Sequence, residues 1–233
     1  MAALLAAVRT IIWTPLFLVG SALIALLALL VFPFPAAMRA VIRGWGWWNR
    51  ALAAAILGQR VVVEGDLPRD AALVVMKHEA MFEAIDVQML FDQPVVFAKR
   101  ELFDIPLWGW LARRYGLIAI DRDAGASAVR LMRKAGQAAH AAGRPLILFP
   151  EGTRVPPGEA PPIRAGFAAI YALLRLPVVP VAVASGHLRR GWLRYPGVIR
   201  YRVGDVIPAG LPRAEAEARV HRAINALNVE GER

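Results

Sequence analysis

Between Arg9 and Arg39 the chain carries no charged residue, and from Ile11 to Phe32 it is almost entirely apolar. A run above about 20 such residues is long enough to cross a bilayer as a helix, with a secretory signal as the rival reading. A secretory signal would have a shorter apolar region, about 7–15 residues, followed by small residues at a cleavage site. Pro33, Phe34 and Pro35 follow instead, so the segment is expected to be retained, kinked at Pro15 and ended by the later prolines.

The stretch after it, Arg39 to Arg50, places Trp45, Trp47 and Trp48 among three arginines, before an apolar run from Ala51 to Leu57. Amphipathic rings and basic heads both find partners at the membrane–water boundary, so this stretch reads as interfacial. Residues 1–58 hold Arg9, Arg39, Arg43 and Arg50 and no acid. Three of those cations follow the apolar run, which predicts that the long C-terminal part faces the cytoplasm across the inner membrane. The formal net charge of +10 suits nucleic acid, anionic lipid or phosphorylated substrates alike. No nucleic-acid-binding signature accompanies it, which leaves lipid or small phosphate compounds. Cysteine is absent, so thiolate catalysis and disulfides are excluded.

Beyond Gly58 short β-branched runs alternate with helical patterns. Strands are expected at Arg60–Glu64, Leu73–Met76, Val95–Ala98, Leu117–Ile120, Leu146–Phe149, Val178–Val183 and Val198–Val203. Helices are expected at Phe82–Phe91, Pro106–Tyr115, Ala124–Ala142, Ala165–Leu174 and Arg213–Leu227. The pattern predicts an α/β domain over residues 59–233, with a mixed sheet flanked by helices, behind a membrane-anchoring segment over residues 1–58.

Two segments carry reactive groups at strand ends, where α/β proteins build sites. In Lys77-His78-Glu79-Ala-Met-Phe-Glu83-Ala-Ile-Asp86 a neutral histidine could take a proton from an alcohol while a carboxylate steadies the imidazolium. On a regular helix a spacing of five sets side chains about 140° apart, so a His78–Glu83 pair requires His78 in the loop before the helix. Glu79 and Asp86 are alternative partners. In Phe149-Pro-Glu151-Gly152-Thr153-Arg154 a strand runs into a glycine and an arginine fork able to grip phosphate; a turn with a surface Glu151–Arg154 ion pair is the plainer alternative.

Taken together these segments resemble the glycerolipid acyltransferase family, in particular bacterial 1-acylglycerol-3-phosphate acyltransferases. Four ordered blocks carry the resemblance over roughly residues 60–205. They are Lys77-His78 with Glu83, then Gly116 to Arg122, then Phe149 to Arg154, then Val179-Pro180-Val181; Phe97 to Leu102 adds the family's lysine segment. Glu83 stands where the family usually has aspartate, a longer arm with the same charge. The resemblance implies that His78 is the general base and Glu83 its orienting acid. It implies that Lys99, Arg122 and Arg154 hold the acceptor's phosphate, with Arg164 as a further candidate. Gly152 and Thr153 would line the acceptor, and Glu151 would fix the arginines or the acceptor. His140, His187 and His221 lie outside every block and read as structural or surface.

The implied reaction moves a fatty acyl group from acyl-CoA or acyl carrier protein to 1-acylglycerol 3-phosphate, giving phosphatidic acid. It needs no metal and no cofactor beyond that co-substrate. Its partners would be membrane lipids, the lysophospholipid and the acyl carrier, without nucleic acid. Glycerol 3-phosphate or a lyso-aminolipid are alternative acceptors, and a non-catalytic lipid-binding protein is an alternative class. A serine hydrolase is disfavoured, because Ser185-Gly186 is not in a nucleophile-elbow pattern.

Overall fold

A computed structural model describes residues 1–68, 72–120 and 126–228. In chain order it runs α1 (Ala2–Leu30), α2 (Pro35–Leu52), β1 (Gln59–Glu64), β2 (Leu73–Met76), α3 (Met81–Leu90), β3 (Val95–Lys99), α4 (Trp108–Tyr115) and β4 (Ile118–Ile120). It continues with α5 (Ala126–Ala141), β5 (Leu146–Leu148), α6 (Ala165–Leu174), β6 (Val178–Ala184), β7 (Arg189–Arg190), β8 (Leu193–Arg194), β9 (Gly197–Val203) and α7 (Arg213–Ile224). Strands and helices alternate as the sequence pattern predicts, and the ends differ from the expected ones by a few residues.

Seven strands form one sheet in the order β1-β9-β6-β2-β5-β3-β4. Every neighbouring pair is parallel except β6 with β9. The central strands are uniformly apolar because both faces are covered. Leu73, Val75, Leu146, Leu148 and Val178 point to one face, under α6 and α7. Val74, Met76, Ile147, Val179 and Val181 point to the other, where Val87 and Phe91 of the α3 segment pack. Pro180 is tolerated inside β6 because of where its missing N–H falls. Its carbonyl accepts Gly204 N–H on the β9 side, and the β6–β9 ladder begins only at Val181.

The apolar N-terminal run forms a 29-residue helix that starts earlier than expected, at Ala2, and passes unbroken through Pro15. It is long and apolar enough to cross a membrane. Ala6, Thr10, Trp13, Phe17 and Ala28 form a buried stripe along it. Trp13 and Phe17 stack at 4.7 Å and pack with Leu52, Leu57 and Ile85. Leu23, Leu26, Leu27 and Leu30 stand exposed. One side of α1 is thus packed on the rest of the chain and the remainder is bare hydrocarbon. Pro35 opens α2, and Gly58, in the left-handed region at φ 69°, turns the chain into β1. Arg114 ties down the α1–α2 corner by donating to the Phe32 and Pro33 carbonyls at 2.7 and 3.0 Å.

Candidate active site

His78 follows β2 and precedes α3, in the loop position that the five-residue spacing requires. Its Nδ1 lies 3.0 Å from Glu83 Oε1. The carboxylate only accepts, so Nδ1 carries the proton and Nε2 is left as the base. The imidazole side chain is 18% exposed, whereas Glu83 is fully buried. Glu83 occupies the third position of α3 and reaches back to the N–H groups of Glu79 and Ala80, each at 2.6 Å. This is one half of a capping box, and it serves the helix and the dyad with the same oxygen. The other oxygen, Oε2, accepts from Ser185 Oγ at 2.9 Å. Phe149 packs on the imidazole, ring centroids 4.5 Å apart.

Three loops meet here because β6, β2 and β5 are neighbours and end on the same carboxyl edge. The β5 loop turns at Phe149–Gly152, where Gly152 N–H donates to the Phe149 carbonyl and Gly152 takes φ 65°. His78 O accepts Val155 N–H at 2.7 Å, and His78 N–H donates to Glu151 Oε2 at 2.9 Å. The β6 loop is bound by Glu79, whose Oε2 accepts the N–H groups of Ser185 and Gly186, each at 2.9 Å. Burial pushes the Glu79 carboxyl above its ordinary range, against the pull of those two donors. A Cβ on Gly186 would sit 2.9 Å from Pro157 Cγ and 3.1 Å from Glu79 Cβ, so any other residue there would push the loops apart.

Of the alternative partners for His78, Asp86 is fully buried against Arg50, whose Nε and Nη2 both donate at 2.8 Å. Glu79 turns to the β6 loop. Glu151 does not pair with Arg154; its side chain is buried against Lys77 Nζ at 3.4 Å and His78 N–H. Its carbonyl accepts Arg164 Nε at 3.1 Å. Lys77, also buried, donates to the Glu159 carbonyl and to Asn225 Oδ1, tying the dyad's loop to the end of α7.

Thr153 and Arg154 stand exposed beside the His78 loop, and Arg154 has no ion-pair partner among the described residues. Arg164 caps the start of α6 next to the same turn. Lys99 is exposed at the end of β3, two strands from β2, or about 10 Å along the sheet. Arg122 lies outside the described residues. Ser185, weighed from the sequence only as a nucleophile, completes Glu83 instead, and Asn225, which the sequence does not single out, holds Lys77. Ser185 does follow an apolar strand, as His78 and the Glu151 turn do, but only the strand order reveals that the three ends adjoin.

A family model described as Acyltransferase matches residues 60–184. The 1-acyl-sn-glycerol-3-phosphate acyltransferase of Pseudomonas aeruginosa is 31% identical over 206 residues, covering 87% of this chain and 77% of the relative. The lyso-ornithine lipid O-acyltransferase of the same organism is 32% identical over 201 residues, 76% of this chain and 75% of that one. The crystal structure of the 1-acyl-sn-glycerophosphate (LPA) acyltransferase of Thermotoga maritima has the same fold, with a TM-score of 0.75 over 97% of both chains at 21% identity.

Proposed function

The chain belongs to the acyltransferase family, and from that premise we propose that it acylates 1-acyl-sn-glycerol 3-phosphate to phosphatidic acid at a membrane surface. The observation that carries the reading is the His78–Glu83 dyad at the carboxyl edge of the sheet, beside a turn that presents Arg154 to solvent.

His78 Nε2 takes the proton of the acceptor's free hydroxyl as its oxygen attacks the thioester carbonyl. Glu83 stabilises the imidazolium that forms, and its four donors (Nδ1–H, two backbone N–H groups and Ser185 Oγ–H) hold the carboxylate in place. Collapse of the tetrahedral adduct breaks the carbon–sulfur bond, and the proton on Nε2 passes to the departing thiolate. Protons and bonds balance without a metal, a cofactor or an acyl-enzyme. Arg154, Arg122 and Lys99 hold the acceptor's phosphate, with Arg164 as an additional cation near the same turn. Gly152 allows close approach of the phosphate to the backbone, and Thr153 lines it. Glu151 serves the site indirectly, as the carboxylate that fixes the His78 backbone. The donor is acyl-CoA or acyl carrier protein.

The bare side of α1 supports attachment to a bilayer, and Arg39, Arg43 and Arg50 on α2 support the cytoplasmic side of the inner membrane. Residues 1–58 act as the anchoring segment and 59–233 as the catalytic domain. The test is product analysis with the full chain in membranes, given a labelled acyl thioester and a panel of lyso-acceptors. Phosphatidic acid should dominate. A lyso-aminolipid is the second reading, favoured by the similarity to a lyso-ornithine lipid acyltransferase. Product from such an acceptor and none from 1-acylglycerol 3-phosphate would establish it instead.

A further inference from the structure

Away from the dyad, cations gather without acids. No Asp or Glu occurs from Ala160 to Gly204. Within that stretch β7 and β8 form a short hairpin closed by Gly191, at φ 60°, and Trp192, which is 59% exposed. Arg189 and Arg190 are exposed on it. The hairpin is fixed to α1: Arg194 N–H donates to Thr10 Oγ1 at 2.9 Å, and its guanidinium lies 4.1 Å from the Trp13 ring centroid. Between hairpin and helix lies a cavity of about 340 Å³. Leu5, Ala6 and Leu188 give it an apolar wall, and Arg9, His187 and Arg190 line its polar side. Neither Arg9 nor Arg190 has a carboxylate partner among the described residues; Arg190 rests on the Tyr195 ring instead.

We infer that this cavity takes the phosphodiester headgroup of an anionic glycerophospholipid in the bilayer, with Trp192 at the level of the headgroups. Two unpaired guanidinium groups match a phosphate. The apolar wall at Leu5 continues along the same side of α1 at Ile12 and Leu16, both exposed, where acyl chains can lie. An exposed tryptophan among arginines suits the boundary between the two. A free phosphate would meet the same charges but would leave the apolar wall and Trp192 unused. The site stands on α1 and the hairpin, whereas His78 and Arg154 stand on the β2 and β5 loops.

The chain has no cysteine, so Trp192→Cys in the full protein gives a single thiol for an environment-sensitive fluorophore. The labelled protein is reconstituted into vesicles of phosphatidylcholine, or of an equal mixture with phosphatidylglycerol. The mixed vesicles should shift the emission to the blue and increase quenching by a nitroxide lipid. Each basic residue is worth about fivefold in partitioning onto an anionic surface, so Arg189→Gln with Arg190→Gln should reduce the phosphatidylglycerol effect by about tenfold or more. Arg189→Lys, which keeps the charge at a position outside the cavity lining, should retain most of it and serves as the folded control. Equal signals in both vesicles, or solvent-like emission in both, would overturn the inference. So would reproduction of the shift by soluble glycerophosphate at matched ionic strength. A raised Michaelis constant for the lysophospholipid in uncharged micelles on Arg190→Gln would overturn it too, by assigning the cavity to the acceptor.

Discussion

Ser185 Oγ donates to Glu83 Oε2 at 2.9 Å across 102 residues of chain, so the carboxylate that steadies His78 is itself held from the neighbouring strand. Both groups are buried, and hydrogen bonds to charged groups are worth about 1.5–3 kcal/mol. Ser185→Ala should therefore lower kcat by about ten- to a hundredfold while leaving both Michaelis constants nearly unchanged. Ser185→Thr, which keeps the hydroxyl, should recover part of the loss. Steady-state kinetics separate the two, and a Ser185→Ala enzyme with normal kcat would remove Ser185 from the catalytic support.

Glu83 and Asp86 are both fully buried carboxylates, one turn apart, yet they serve different partners. Glu83 meets His78, whereas Asp86 meets Arg50 and so joins α2 to α3. His78→Ala should lose about 10²–10⁴ in turnover. Glu83→Gln should be strongly impaired at a nearly normal melting temperature, because the amide cannot support the imidazolium. Asp86→Asn should do the reverse. It leaves a partly buried guanidinium short of its counter-charge, which costs about 3 kcal/mol of stability. Comparing activity per folded molecule with thermal melts decides between them. A stable but inactive Asp86→Asn would reassign the dyad.

Much of this was legible in the sequence, for stated reasons. The buried strands announced themselves as short β-branched runs, and the His78–Glu83 spacing already demanded a loop before a helix. Arg154 at a strand mouth was equally plain. The rest depends on topology. That Ser185 reaches Glu83 follows from β6 lying beside β2, which no periodicity encodes. Glu151 next to Arg154 invites a surface ion pair, but the turn at Gly152 sends the carboxylate inward to Lys77 and His78. On α1 nearly every residue is apolar, so the buried stripe through Thr10, Trp13 and Phe17 leaves no contrast to read. The hairpin at Arg189–Arg194 is only two residues per strand, too short for alternation to register.

Glu79 gives a pH dependence with a definite sign. Burial raises its carboxyl in the folded state above the ordinary value of 4.5, so folded protein retains the proton after the unfolded chain has lost it. Stability from this group is highest below about 4.5 and declines as pH rises from there through the raised folded value. Glu79→Gln keeps an oxygen for the Ser185 and Gly186 N–H groups and cannot ionise. Its melting temperature relative to wild type should therefore climb as pH increases over that interval. A difference that is constant with pH would mean that Glu79 does not titrate in the fold at a raised value.

Phosphate recognition is tested at Arg154. A lysine in its place keeps the charge and loses the planar fork, so the exchange should not be conservative. Arg154→Lys and Arg122→Ala should each raise the Michaelis constant for the lysophospholipid by about one to two decades, with that for the acyl donor little changed. The measurements belong at one ionic strength, since salt screens exposed charges. A rise confined to the donor would transfer these arginines to the phosphates of the acyl carrier.

The two sides of α1 should fail in different ways when they are altered. Trp13 and Phe17 cover Leu52, Leu57 and Ile85, so the packed side belongs to a core. Trp13→Ala should cost about 3–5 kcal/mol, the usual range for deleting a buried aromatic ring. Removing residues 1–34 should expose that core and give aggregated protein, rather than a peripheral enzyme held by the Arg39–Arg50 segment. The bare side carries no such duty. Ile12, Val19 and Leu23 are 48%, 59% and 61% exposed, and changing all three to serine should weaken retention by membranes in carbonate extraction. Activity in detergent should survive that change, because all three side chains stand exposed outside the buried stripe. If instead the serine variant loses activity in detergent, or the truncated chain remains soluble and active, the division of α1 into a packed side and a lipid side is wrong.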